Sequence, residues 1–242
     1  MESNGNAIFD ALARYFSMHT YEVGCREQEL VEIYALRYQT YCLECGFLPP
    51  AEYPAGLERD EFDARSAHFA AHNVDGAVVG TARLVLSAQD EPFPFVRHCP
   101  VFDDVALPPP EQTAEVSRLA VKKDYRRRTG DTWFGVNTAN GNGEAAAADA
   151  ARERRTNAPV VVLGLYRQMY RYSREKGIRY WYAAMERPLA RALARFDFIF
   201  VPIGAEHDYY GPVTPYLADL KEIEDRLKVT KPELLDWFQY GP

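Results

Sequence analysis

The sequence predicts an α+β domain with a mixed central sheet flanked by helices, and three observations carry that expectation. Ala67 to Val74 and Ala77 to Leu86 are apolar runs joined by Asp75-Gly76, the signature of a tight β-hairpin. A further strand run, Thr113 to Val121, follows a proline-rich link. Beyond it helical and strand patterns alternate: Val160 to Lys176, Tyr180 to Met185, Pro188 to Phe196 and Phe198 to Ile203. Helix, hairpin, strand, helix, strand, helix, strand is the order of a single layered domain. The 242 residues contain no internal repeat and no clear domain boundary, so residues 1–242 read as one unit.

Composition narrows the class. With 47% hydrophobic and 26% charged residues the chain reads as an ordinary soluble globule. A net charge of -7 argues against general nucleic-acid binding. No apolar run approaches the roughly 20 residues that span a bilayer. Met1 to Ala13 lacks the basic start and apolar core of a signal peptide, and the reading is cytoplasmic. Cys42 and Cys45 form a single CxxC, with His98-Cys99 elsewhere; without a second pair at ligand spacing no metal is assigned. His68 and His72 share one strand face, where packing or hydrogen bonding is expected of them.

Ala7 to Phe16 has helical spacing, with Ile8, Leu12, Tyr15 and Phe16 on one stripe, and His19 to Val23 reads as a short strand. Glu27 to about Cys45 reads as a second helix, with Leu30, Ile33, Tyr34 and Tyr41 on its apolar stripe. Arg37 falls on that stripe, either snorkelling from its edge or turned inward toward a carboxylate. Pro49, Pro50, Pro54 and Gly56 mark a loop leading to Glu58-Arg59-Asp60-Glu61-Phe62-Asp63. That run is either a solvated face or, through the Asp60 to Asp63 spacing, two carboxylates aimed into a cleft. Arg83 lies in the second hairpin strand on the face of Val79, Thr81 and Val85, a place that favours apolar side chains. Gln89 to Gln112 reads as an irregular connection with one short turn near Val101 to Val105.

The strand from Thr113 to Val121 holds Glu115 and Arg118 inside an apolar run, then breaks into Lys122, Lys123, Arg126, Arg127 and Arg128. An unpaired buried ion is costly, so this strand is either an ordinary edge or the floor of a reactive site. Residues three apart on a regular strand face opposite sides. Glu115 and Arg118 therefore share a site only if the strand is bulged, and a bulge is expected near Ser117 to Ala120. Thr129 to Ala158, rich in Gly, Asn, Thr and Ala, reads as an insertion, flexible or at most partly helical from Ala145 to Arg154. Gly177 stops the Val160 to Lys176 helix, and Pro188 opens the next. Val213 to Leu220 reads as a last strand. A helix from Lys221 to Val229 and a short one, capped by Thr230 with Pro232 in its first turn, form a C-terminal extension at about 221–242.

The polar residues line up with a known pattern. Arg37, Tyr41 and Phe47, then Asp60, Phe62 and Asp63, then Arg83, then Glu115 and Arg118 resemble the ordered motifs of the autoinducer-synthase-like branch of the GNAT N-acetyltransferase superfamily. That branch holds acyl-homoserine-lactone synthases, long-chain N-acyl amino acid synthases and acyltransferases associated with PEP-CTERM/exosortase systems. The ending Tyr209-Tyr210-Gly211-Pro212 through Pro215-Tyr216 looks most like the exosortase-associated group. Two features depart from the pattern. Tyr41 and Phe47 stand where the synthases usually carry Phe and Trp. After the central strand the chain runs Lys122-Lys123-Asp124-Tyr125-Arg126, without the glycine-rich loop that holds pyrophosphate in acetyl-CoA enzymes.

The resemblance implies a GNAT fold and an amide-forming acyltransferase. It would move a fatty acyl group, of long chain, from acyl carrier protein or acyl-CoA to the amine of an amino acid or related small molecule. The alternative within the branch is an acyl-homoserine-lactone synthase using S-adenosylmethionine; one of another class is a non-catalytic acyl-carrier-binding module. Glu115 is then the base, with Arg118 beside it. Backbone amides of Leu119, Ala120 and Val121 would hold the oxyanion. Arg37, Tyr41, Phe47, Asp60, Asp63 and Arg83 would bind and orient substrate, three arginines against Asp60, Asp63 and Glu115. Lys122, Lys123, Arg126, Arg127 and Arg128 would dock the acidic carrier protein or the phosphates of coenzyme A. No permanently bound cofactor and no nucleic-acid partner is expected. Tyrosines such as Tyr180, Tyr182, Tyr209 and Tyr210 would line an acyl tunnel or protonate the leaving thiolate, but core packing accounts for most of them and no acid is named.

Overall fold

Eight strands form one sheet in the order β1-β2-β3-β4-β5-β8-β6, with β7 paired to β8. The computed structural model describes residues 15–89, 91–125 and 158–241. Most of the expected Ala7 to Phe16 helix, all of the Thr129 to Ala158 insertion except its last residue, and Arg126, Arg127 and Arg128 lie outside the described residues. The strands are β1 (Phe16–Tyr21), β2 (Ser66–Asn73), β3 (Val78–Leu86), β4 (Thr113–Val121), β5 (Tyr180–Met185), β6 (Val201–Pro202), β7 (His207–Asp208) and β8 (Pro212–Asp219). All neighbours are antiparallel except β4 and β5, so the sheet is mixed as expected.

The alternation of each strand sorts its side chains onto two faces. One face carries Ala67, Phe69, Leu84, Ala114 and Val116 and packs under the long helix α2 (Ala158–Glu175). The short helices α3 (Arg187–Ala194), α4 (Leu220–Thr230) and α5 (Pro232–Tyr240) close the same core through Leu193, Ile223, Leu227 and Phe238. The other face is covered by α1 (Val31–Tyr38), whose Ile33, Tyr34 and Leu36 rest on Ala70 and Val78. The segments rich in proline cover its far end, where Phe93, Phe95 and Cys99 pack on Tyr182 and Val213. Gly80 lets α2 approach the sheet, for a Cβ there would sit 2.6 Å from Val161 Cγ1.

Two features of the sheet shape a cleft. Parallel pairing of β4 with β5 is confined to Thr113, Ala114 and Glu115 opposite Tyr180, Trp181 and Tyr182; beyond it the two strands part. The register of β3 against β4 slips between Thr81 and Arg83, so that Ala82 faces the extra residue pair Arg118 and Leu119. This is the expected bulge, and Arg118 takes its left-handed conformation at φ 51°.

Several expectations are corrected. A second bulge, where His72 pairs with Val78 and Ala71 with Gly80, turns Val79 to the α2 face, away from Arg83. The Phe198 to Ile203 run pairs only at Val201–Pro202; Phe198 and Phe200 are drawn into the aromatic core instead. The proline-rich link has its expected turn, closed where the Val105 amide bonds the Phe102 carbonyl at 3.2 Å, and gains 3-10 turns at Pro94–Arg97 and Pro110–Gln112 that were not expected. Thr230 ends α4 and hydrogen-bonds Asp197 rather than capping α5, where Lys231 takes that position. The 27–45 helix is one element in three pitches: a 3-10 turn, α1, and a π-turn over Gln39–Glu44.

Candidate active site

The cleft between β4 and β5 is built from four pieces of chain. Along β4 it is lined by Glu115 to Val121 and along β5 by Ala183 to Met185. The π-turn contributes Tyr41, and Phe47 follows it. Wide turns of this kind occur often at functional sites, because they re-aim side chains from a helix. Here the carbonyl of Tyr41 accepts the amides of Phe47 and Leu48, which folds Phe47 back beside Tyr41 with ring centroids 6.5 Å apart. Tyr209 and Tyr210, at the tip of the β7–β8 hairpin, form the facing wall. The cavity is about 350 Å³.

At one side lies a closed cluster of ions. Arg37 is fully buried on α1 and donates through Nε to Glu58 and through Nη1 and Nη2 to Asp63, the latter two at 2.7 and 3.2 Å. Arg83 donates to Asp60, to Asp63 at 2.6 Å and to Ser117 Oγ at 3.0 Å. Arg118 donates to Glu58 at 3.1–3.3 Å and to Asp60 Oδ2 at 2.9 Å. Asp60 and Asp63 hold their own turn: Asp60 Oδ1 accepts from the Phe62 amide, and Asp63 Oδ2 from the Asp60 amide. Three guanidiniums thus meet three carboxylates. Burial opposes the charge of Glu58 and of Asp63, but the arginines outweigh it and hold both carboxyls below their ordinary range.

The third anion is Glu58, not Glu115. This corrects the expected balance. Glu58 reads in the sequence as the start of a solvated charge run, yet it is fully buried between Arg37 and Arg118. The missed signal is its spacing from Asp60: on an extended lead-in, residues two apart point the same way.

Glu115 stands apart from that cluster. It is 2% exposed and accepts a 3.0 Å hydrogen bond from the Phe95 amide. Burial pushes its pKa up to about 7, against the pull of the Phe95 amide, Arg83 and Arg118. A carboxylate in that range is poised to exchange a proton near neutral pH. Phe95 is a site residue that the sequence did not reveal, because its role rests on a backbone amide.

The bulge settles how Glu115 and Arg118 meet. Glu115, Ser117 and Arg118 all serve the α1 face, since Arg118 consumes the extra residue of β4. Tyr41 stacks over Arg118 at 5.6 Å, and its hydroxyl donates to the Leu119 carbonyl at 3.0 Å. Ala120 pairs with Thr81, and the Lys122 amide bonds Val79 at 2.8 Å. Strand alternation therefore turns the Ala120 amide toward β3 and away from the gap. Lys122 and Lys123 lie exposed beyond the end of β4.

Residues 36–134 match the family model for the GNAT acetyltransferase domain. Among curated proteins no sequence matches the chain. Among solved structures, the chain is similar to TofI in a ternary complex with an inhibitor and MTA. The TM-score is 0.60 at 18% identity, covering 90% of this chain and 99% of TofI. It is also similar to BjaI, a CoA-dependent acyl-homoserine lactone synthase solved with SAM and isopentyl-CoA, with a TM-score of 0.54, 20% identity, and 89% and 91% coverage. LasI, an AHL synthase, gives 0.54 at 16% identity, with 85% and 89% coverage.

Proposed function

We propose that this chain, an acyltransferase of the GNAT fold, transfers a fatty acyl group from an acyl carrier protein or acyl-CoA thioester to the amine of an amino acid or related small molecule. The observation that carries the reading is Glu115: a buried carboxylate of near-neutral pKa, at the point where β4 and β5 part, left out of an ion cluster already balanced by Glu58. The acceptor nitrogen bonds to the thioester carbon as Glu115 takes its proton. The oxyanion accepts from a backbone amide of β4 beyond its bulge, where the strand has left β5. The C–N bond stays, the C–S bond breaks, and the thiolate leaves and ends as the thiol, taking up one proton in balance for the one that Glu115 removed from nitrogen and returns to solvent. Arg37, Arg83 and Arg118 with Glu58, Asp60 and Asp63 fix the shape of the floor, and Tyr41 and Phe47 wall the acceptor side.

A second reading is favoured by the likeness to BjaI and LasI, which suggests an acyl-homoserine-lactone synthase taking S-adenosylmethionine as acceptor. The Tyr209-Tyr210-Gly211-Pro212 ending supports the exosortase-associated branch instead. Mass spectrometry of extracts from an expressing host separates the two: N-acyl amino acids support the first reading and acyl lactones the second. If neither forms, the acyl-transfer reading fails, and a carrier-binding module takes its place.

A further inference from the structure

His98 takes no part in the proposed chemistry, yet its ring lies flat on that of Tyr209, with centroids 4.1 Å apart and planes 9° from parallel. Tyr209 walls the cleft, and Tyr210 follows it at 4.6 Å. His98 itself closes the 3-10 turn Pro94–Arg97: its amide bonds the Phe95 carbonyl at 3.0 Å, as the Cys99 amide does at 2.8 Å. Cys99 is buried among Phe93, Phe95 and Tyr182, which fixes the turn to the sheet. The same turn presents Pro94 to the cleft and gives the Phe95 amide to Glu115. One short segment therefore supports both the base and the wall that faces it.

The wall needs that support. Strand β7 is two residues long and meets β8 only at His207 with Val213 and Asp208 with Pro212. At the tip the Tyr209 amide bonds the Gly211 carbonyl at 3.0 Å, and the Gly211 amide bonds Asp208 Oδ1 at 3.2 Å. Tyr210 at φ 56° and Gly211 at φ 101° make the turn, a left-handed backbone that a tyrosine adopts at a cost. These bonds close the tip on itself and do not tie it to the body, and so short a hairpin is marginal alone. Its ties to the body are ring contacts. Tyr209 rests on His98, and Gly211 lies over Phe47, where a Cβ would come within 3.7 Å of the ring.

Resting on the acyl-transfer reading, we infer that His98 is a positioning residue for the acceptor: its ring props Tyr209, so that Tyr209 and Tyr210 stand as a fixed wall opposite Tyr41 and Phe47. The shared turn then sets the spacing between that wall and Glu115, which holds the acceptor nitrogen in register with the base. The two supports are separable. Glu115 is anchored by a backbone amide that no side-chain change at His98 removes, whereas the wall depends on the imidazole ring.

The test follows thiol release at saturating octanoyl-CoA while S-adenosylmethionine or an equimolar amino-acid mixture is varied as acceptor. His98→Ala should raise the acceptor concentration for half-saturation roughly threefold to tenfold, the worth of one ring stack. The kcat, the KM for octanoyl-CoA and the pH dependence set by Glu115 should stay close to wild type. His98→Phe, which puts a ring back on Tyr209, should restore the acceptor value. Hydrogen exchange should find the Tyr209 amide freed by His98→Ala and protected again in His98→Phe. An acceptor value or an amide exchange unmoved by His98→Ala overturns the inference and leaves acyl transfer intact. A fall in kcat together with a shifted pH dependence also overturns it, because the turn itself has then given way. Wild-type protein that releases no thiol beyond its acceptor-free rate overturns the acyl-transfer reading, and the inference with it.

Discussion

Glu115 accepts the Phe95 amide at 3.0 Å, and this backbone bond anchors a carboxylate that the neighbouring arginines leave largely uncompensated. Arg83 and Arg118 are near enough to lower its pKa, but Arg83 Nη1 is taken by Asp60 and Asp63, its Nε by Ser117, and Arg118 by Glu58 and Asp60; Arg83 Nη2 makes no hydrogen bond among the described residues, to Glu115 or any other group. Burial therefore wins at Glu115 and loses at Asp63. One cleft thus holds two kinds of acid, a permanent anion in the ion cluster that shapes the floor and, beside that cluster, a titrating one that can carry a proton.

The first prediction concerns rate. With Glu115 titrating at about 7, kcat/KM should rise through a limb near pH 7 as the base loses its proton. Glu115→Gln should lower turnover by roughly 10²–10⁴-fold and abolish that limb. The fold should survive, because the Gln side-chain oxygen still accepts the Phe95 amide. Circular dichroism and a pH–rate series check both parts; unchanged turnover in the variant excludes Glu115 as the base.

The same residue makes a prediction about stability. Its pKa rises from 4.5 to about 7 on folding, so between these values the folded state binds more protons than the unfolded one. The stability contribution is complete below pH 4.5 and is lost as pH rises through 7. A shift of this size corresponds to about 3 kcal/mol. Urea unfolding at pH 5 and pH 8 should show the wild type losing about that much relative to Glu115→Gln. Asp63 works in the opposite sense: its lowered pKa stabilises the fold above the ordinary carboxylate range and fails on acidification.

Glu58 carries the third prediction. Glu58→Gln keeps the shape but removes the charge between Arg37 and Arg118, leaving one buried cation in excess. Breaking a buried pair from one side costs about 3–5 kcal/mol. Chemical denaturation should register most of this, and the Arg118 side of the cleft should loosen enough to reduce kcat. A variant as stable as the wild type would mean that Arg37 and Arg118 find other partners.

The sheet and the order of its elements were legible because apolar periodicity and turn chemistry act locally. Asp75-Gly76 marked the hairpin, and the charges of Glu115 and Arg118 demanded the bulge that Arg118 makes. Glu58 and Phe95 were not legible. Burial of Glu58 depends on Arg37 and Arg118 closing over it from 21 and 60 residues away, and the role of Phe95 belongs to an amide that every residue but proline possesses. The gap between β4 and β5 was hidden for the same reason: pairing that stops at Glu115 leaves no mark on the alternation of either strand.

The last prediction concerns the donor. Lys122 and Lys123 are exposed directly beyond β4, and the sequence continues the positive run at Arg126, Arg127 and Arg128. On a chain of net charge -7, a basic run that begins with Lys122 and Lys123 next to the cleft residue Val121 should steer an acidic carrier protein to it. Reversing these charges to Glu should lower kcat/KM for acyl-carrier thioesters by about tenfold or more at low salt, with less effect as salt screens the encounter. Acyl-CoA, whose phosphates are fewer and more compact, should lose less. The comparison is made by thiol release across a salt series with both donors. If the two donors turn over equally and neither responds to charge reversal, the basic segment is only a solvated loop, and the carrier must approach from another side.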